Sequence, residues 1–235
     1  MKLNRKQKIL RNFLICLLLC LAIHAAVGFP PYTVEGMCAQ VARDYLLPEV
    51  EPIYVHREKH KYSGDMFHRT YTYVVARCED HYLAFLYDRD LLTNRREPFY
   101  GVELEQGVLC TARKGMLYAA GDFDAVASAE MVVTATNGTE SRDFHFTGER
   151  LADDLFGFRY SEGDGWFFHL EEKRPEEMDL AEIARYWYRT PHGNGGYSYD
   201  HAELPLTLTL YDQDGEVLDT VERSVDTYEL HLFRW

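Results

Sequence analysis

The sequence predicts an α+β protein built mainly from antiparallel β-structure, and three observations carry that expectation. An apolar stripe at helical spacing runs from Val34 to Leu46, strand-forming segments begin at Ile53, and three Asx-Gly dipeptides stand between β-rich runs at Asn137-Gly138, Asp164-Gly165 and Asp214-Gly215. Ahead of all of these lies an N-terminal apolar segment, so the full expectation is a transmembrane helix, an amphipathic helix with a small antiparallel sheet, and then a β-sandwich-like unit. The chain divides accordingly into a basic segment 1–12, an apolar segment 13–32, an α+β unit 33–98 and a sandwich-like unit 99–235.

Lys2, Arg5, Lys6, Lys8 and Arg11 precede the apolar run, and no acidic residue does. From Phe13 to Phe29 every residue is apolar or small except His24. A membrane-spanning helix needs about 20 residues, with a lower limit near 17, whereas a signal-peptide core needs about 7–15. The run lies between the two, nearer the anchor. Ala26 and Gly28 offer the small residues that a signal peptidase prefers, with Pro30 and Pro31 close behind, so a retained anchor and a cleaved signal are both open. Lipidation is disfavoured because Ile15 precedes Cys16 and Leu19 precedes Cys20. In either case the basic residues stay cytoplasmic by the positive-inside rule and the body is exported. The expected location is the cell membrane, single-pass, or the outside if the signal is cut.

Pro30 and Pro31 stop a helix, and Thr33 can cap the next one. Val34, Met37, Cys38, Val41, Ala42, Tyr45 and Leu46 then fall on one helical face, with Pro48 as the stop. "IYVHREKHKY", "MFHRTYTYVVARC" and "HYLAFLYD" read as three antiparallel strands, the second placing Phe67, Tyr71, Tyr73 and Val75 on one face. After Pro98 the three Asx-Gly hairpins argue for a sandwich, interrupted by a helix near 176–188. In that helix Pro175 suits the first position, and Leu180, Ile183, Ala184 and Trp187 form the stripe.

The net charge is −13, and removing the five positive charges ahead of the apolar run leaves −18 on the rest. An acidic body repels phosphate backbones and anionic head groups, which argues against a nucleic-acid role and a peripheral membrane-binding face. Cys38, Cys78 and Cys110 are odd in number and widely spaced, so they suit neither a complete disulfide framework nor a zinc site, and one bridge with one spare thiol stays open in an oxidising compartment.

No stretch carries a specific catalytic or cofactor motif. His56 and His60 would share a metal on a helix, but the Ile53–Val55 context favours a strand, where residues four apart are about 13 Å apart. "YDQDGEVLD" fails the calcium-loop spacing and reads as a turn between Leu210 and Val217. The glycines of "YWYRTPHGNGGYSYDH" do not form a dinucleotide-binding fingerprint. Instead Tyr186, Trp187, Tyr188, Tyr197 and Tyr199 flank a glycine-rich loop with His192 and His201, a mixture of aromatic faces and hydrogen-bonding groups that suits a protein or glycan ligand.

The expectation is therefore an exported, non-catalytic binding module with no cofactor and no metal. The alternative is an exported hydrolase or metal-dependent enzyme. It would draw on His56, His60, His68 and His81, or on a constellation of Ser198, Asp200, His201 and Cys110.

Overall fold

The computed structural model describes residues 4–27, 33–60, 69–89, 94–96, 102–113, 115–161, 173–191, 197–199, 201–227 and 230. In chain order, helices α1 (Arg5–Val27) and α2 (Val34–Asp44) precede strands β1 (Glu51–His60), β2 (Arg69–Cys78), β3 (His81–Arg89), β4 (Asn94–Arg96) and β5 (Glu103–Gln106). Next come β6 (Leu109–Arg113), β7 (Met116–Ala120), β8 (Ser128–Thr136), β9 (Ser141–Thr147), β10 (Glu149–Ala152) and β11 (Leu155–Arg159). The short 3₁₀ turn Pro175–Glu177 leads to α3 (Leu180–Trp187), β12 (Arg189–Pro191), β13 (Tyr197–Tyr199), β14 (Glu203–Tyr211) and β15 (Val217–Asp226). The expected α+β class with mainly antiparallel sheets is what the fold shows.

α1 starts on a reciprocal cap, in which Asn4 Oδ1 accepts from the Gln7 amide and Gln7 Oε1 accepts from the Asn4 amide, each at 2.9 Å. Among the described residues no helix is long and apolar enough to cross a membrane. The first two turns of α1 carry Arg5, Lys6, Lys8 and Arg11. The remainder, 12–27, rises about 24 Å at ~1.5 Å per residue, against a hydrocarbon layer of ~30 Å. The spanning helix expected over 13–32 therefore gains no support from the fold, and 28–32 lie outside the described residues.

α2 begins where expected, with Thr33 Oγ1 accepting from the Gly36 amide at 3.1 Å. Val34, Met37, Cys38 and Val41 are buried, as the stripe predicts. Tyr45 and Leu46, also expected on that stripe, are exposed instead, Leu46 to 92%. The helix ends before them in a turn that takes Leu46 to φ 55, with the Leu46 amide donating to Arg43 O and the Leu47 amide to Ala42 O.

Three sheets stack behind α2. The first has order β1-β2-β3, with β4 and β5 both paired to the outer edge of β3. Its Val74, Ala76, Leu83, Phe85 and Tyr87 face α2, and its Tyr73, Val75, Tyr82, Ala84 and Leu86 face the second sheet. Phe67, expected on the Tyr73 face, lies outside the described residues. The second sheet, β10-β11-β7-β6, packs one face on the first sheet through Leu109, Tyr118, Ala120 and Leu155. Its other face packs on the third sheet through Ala112, Leu117, Ala119, Phe156 and Phe158. The third sheet, β15-β14-β8-β9, answers with Ala129, Met131, Val133 and Ala135 from β8 and Leu204, Leu206, Leu208 and Leu210 from β14. The second and third sheets pack face to face as a sandwich, with α3 contributing Leu180, Ile183 and Ala184 to the core between them, while β5, inside the expected 99–235 unit, joins the first sheet instead.

Two hairpins close through turns longer than the two residues that an Asx-Gly dipeptide favours. Thr136 pairs with Ser141, so Asn137-Gly138 belongs to a four-residue turn, with Gly138 at φ 88 and Asn137 Oδ1 accepting from the Thr139 and Glu140 amides. The Asp212 amide donates to Glu216 O, leaving three residues between them and Gly215 at φ 81. Asp164-Gly165 lies outside the described residues. α3 starts later than Pro175 because Asp179 and Glu182 form a capping box, each side chain accepting from the other's amide at 2.8 and 2.9 Å.

Candidate functional site

The loop singled out in the sequence leaves the fold from a rigid base. Tyr186, Trp187 and Tyr188, at the C-terminal end of α3, are half-buried and pack against the sandwich core. Tyr188 takes both backbone groups of Thr136, the last residue of β8. Its hydroxyl donates to Thr136 O at 2.5 Å and accepts from the Thr136 amide at 3.2 Å. Arg189 stacks on the Tyr186 ring, 4.9 Å from its centroid. β12 and β13 then pair as a two-stranded ribbon, Arg189 opposite Tyr199 and Pro191 opposite Tyr197.

The other foot of the loop is equally fixed. The Ala202 amide donates to Thr227 Oγ1 at 3.0 Å, and the Thr227 amide donates to Ala202 O at 2.9 Å. His201 lies beside this clasp, with Nδ1 2.8 Å from Asp226 Oδ2 and its side chain 64% exposed. The structure therefore brings Tyr186, Trp187, Tyr188 and His201 to one end of the sandwich. The side chains of Tyr197 and Tyr199, and His192 and Asp200 altogether, lie outside the described residues.

Of the histidines proposed for a metal, the two whose side chains are described, His56 and His81, lie apart. His56 and His81 each hold a carboxylate of their own, Glu58 at 2.9 Å and Asp80 at 2.8 Å. His81 pairs with Cys78, level with the start of β1. His56 is at least five residues farther along that strand, roughly 17 Å away at ~3.3 Å per residue. The side chain of His60, and His68, lie outside the described residues. Among the described residues no group of three His, Cys, Asp or Glu could hold a metal ion.

Cys110 is equally unsuited to nucleophilic work, because burial pushes its thiol up to about 12, far from the thiolate form at neutral pH. Cys38, Cys78 and Cys110 are all free thiols. The Ser198 side chain and Asp200 lie outside the described residues, and the carboxylate that His201 meets is that of Asp226, which the sequence reading does not name.

A concave feature lies apart from this loop. A cleft of about 330 Å³ lies at the opposite end of β8, between the 122–126 loop and the start of β15. Its walls come from segments far apart in the chain, and only the acidic "GDFDA" hinted at it. No family model, curated protein or solved structure matches this chain.

Proposed function

We propose that the chain is an exported, non-catalytic binding module that presents the Tyr186–His201 loop to a protein or glycan partner at the cell envelope. The frame of the loop carries this reading. Tyr188 fastens one foot to β8 and the Ala202–Thr227 clasp fastens the other, while half-buried Trp187 and exposed His201 remain accessible. Recognition loops held by a rigid scaffold lose little freedom on binding. On the same reading α1, with basic residues at its start, either anchors the body or is cut away after export. A helix this short would be kept in a bilayer by local thinning and by basic side chains reaching the interface.

Mapping the mature N-terminus and fractionating cells tests the location, and a soluble protein starting near Phe29 would remove the anchor. A carbohydrate array and a panel of purified envelope proteins, probed with wild type, W187A and H201A, test the binding. Retention of full affinity by both variants would remove the loop from the reading.

The rival reading, an exported hydrolase, has the His201–Asp226 pair in its favour, since a carboxylate on Nδ1 is how a general base is oriented. Labelling with a fluorophosphonate probe that H201A abolishes would favour that rival over the binding module.

A further inference from the structure

We propose that the cleft between the 122–126 loop and β15 is a second docking site, independent of the Tyr186–His201 loop, for a basic peptide segment of a partner protein. The two sites sit at opposite ends of β8: Tyr188 holds Thr136, and the Ala127 amide donates to Tyr211 O beside Ser128. The separation is about 26 Å along the strand at ~3.3 Å per residue.

The floor of the cleft is apolar, formed by Val108, Phe123, Leu210 and Leu218. Phe123 and Leu210 belong to the packed core, whereas Leu218 is 46% exposed. Around this floor stand three carboxylates, Asp122, Asp124 and Asp219. Among the described residues none of the three enters an ion pair. The following turn adds Asp212, Asp214 and Glu216, and Leu210 and Asp219 face each other across that hairpin.

Two arginines in the neighbourhood brace the walls through backbone carbonyls and set two positive charges against the six carboxylates of the rim and turn, which leaves the site net acidic. Arg150 donates to Phe123 O at 3.2 Å, to Asp153 O at 2.7 Å and to Val126 O, while its guanidinium lies 4.7 Å over the Phe156 ring. Arg223 donates from Nε to Val108 O at 3.2 Å. No lysine occurs between Lys114 and Lys173, or after Lys173. The walls are thus braced by hydrogen bonds and the rim keeps a net negative charge.

An apolar floor inside an acidic rim matches one side-chain type. Lysine and arginine lay an alkyl stem on apolar surface and keep the charge at its edge. A bare divalent ion would use the carboxylates and ignore the floor, and a volume of about 330 Å³ is at the small end for ligand pockets, enough for one or two side chains. A peptide is favoured over a free polyamine because β15 is the edge strand of its sheet, with Val217 58% and Leu218 46% exposed beside the cleft. An extended segment can lie along such an edge while its basic side chain enters the cleft.

The test uses the full chain in detergent and a fluorescent nonapeptide of alternating lysine and leucine, at about 0.15 M salt, where long-range attraction is screened within about 8 Å. D122N/D124N/D219N is compared with E35Q/E49Q/E176Q, which removes the same charge from exposed positions elsewhere, and with L218A and W187A. The proposal expects at least ten-fold weaker binding for the cleft triple variant, several-fold weaker for L218A, and no change for the remote triple variant or W187A.

Equal losses in the two triple variants would overturn it in favour of bulk charge. Spermine displacing the peptide at equal concentration, with L218A indifferent, would overturn it in favour of a polyamine. Displacement by millimolar calcium that D219N abolishes would make the cleft a cation site. Sensitivity to W187A alone would return the binding to the loop and leave the cleft without a role.

Discussion

Leu46 occupies a backbone position that glycine fills most easily. Its φ of 55 puts the Cβ against the backbone, and at 92% exposure the side chain gains almost nothing in return. Leu46→Gly should therefore raise the free energy of unfolding by about 0.5–1 kcal/mol, measured by urea titration. Tyr188 shows the opposite economy, one hydroxyl serving both backbone groups of Thr136. Tyr188→Phe should cost about 1–2 kcal/mol and speed hydrogen exchange in β12, because the loop loses one foot.

Burial pushes the Cys38 thiol up from 9.0 to about 11. An unfolded chain would release that proton above pH 9, so the stability tied to the protonated thiol is complete below pH 9 and is lost as the pH climbs through 11. Cys110, pushed up to about 12, acts in the same direction. Thermal melts from pH 8 to 11 should show a falling midpoint whose slope is shallower in Cys38→Ala, whatever that variant's starting stability.

At the level of elements, what the sequence disclosed tracks how local the cause was. α2 was legible because Thr33 and four stripe residues act within a few turns of one helix, and its end was misread because the reversal at Leu46 uses a residue that rarely adopts positive φ. Pro175 opens only the 3₁₀ turn ahead of α3, and the local signal that starts the helix is the capping box of Asp179 and Glu182. That box also receives the Ser161 hydroxyl on Asp179 Oδ2 at 3.0 Å. Asp179→Ala should cost about 1–2 kcal/mol by chemical denaturation and fray the helix that carries Trp187. The frame of the candidate loop could be suspected from its aromatics, but its fastening to Thr136 and Thr227 depends on residues 52 and 25 positions away. The acidic cleft was illegible for the same reason.

For the whole molecule, the decisive feature is the second sheet, covered on both faces. Antiparallel strands commonly alternate between core and solvent, as β8 and β14 do. "MLYAA" and "LFGFR" do not alternate, because Tyr118, Ala120 and Leu155 meet the first sheet while Leu117, Ala119, Phe156 and Phe158 meet the third. Cross-layer ties reinforce the stack, with Tyr73 Oη 3.1 Å from Thr111 Oγ1 and Arg77 Nη1 donating to Asp154 Oδ2 at 2.8 Å. Phe156→Ala should cost about 3–5 kcal/mol in urea unfolding, since it opens a void beside Phe123 in this middle layer.

The double cover also sets an order of assembly. The third sheet is half β14 and β15, which a ribosome or a translocon delivers after every strand of the second sheet. Until Glu203 and the residues beyond it emerge, the middle hairpins' apolar face has only β8, β9 and α3 to cover it, and the Leu204, Leu206, Leu208 and Leu210 share of the cover is missing. The nascent chain is then most prone to aggregate just before β14 and β15 emerge. A chain stopped at residue 202 should accumulate in the insoluble fraction, whereas one lacking residues 1–27 should fold.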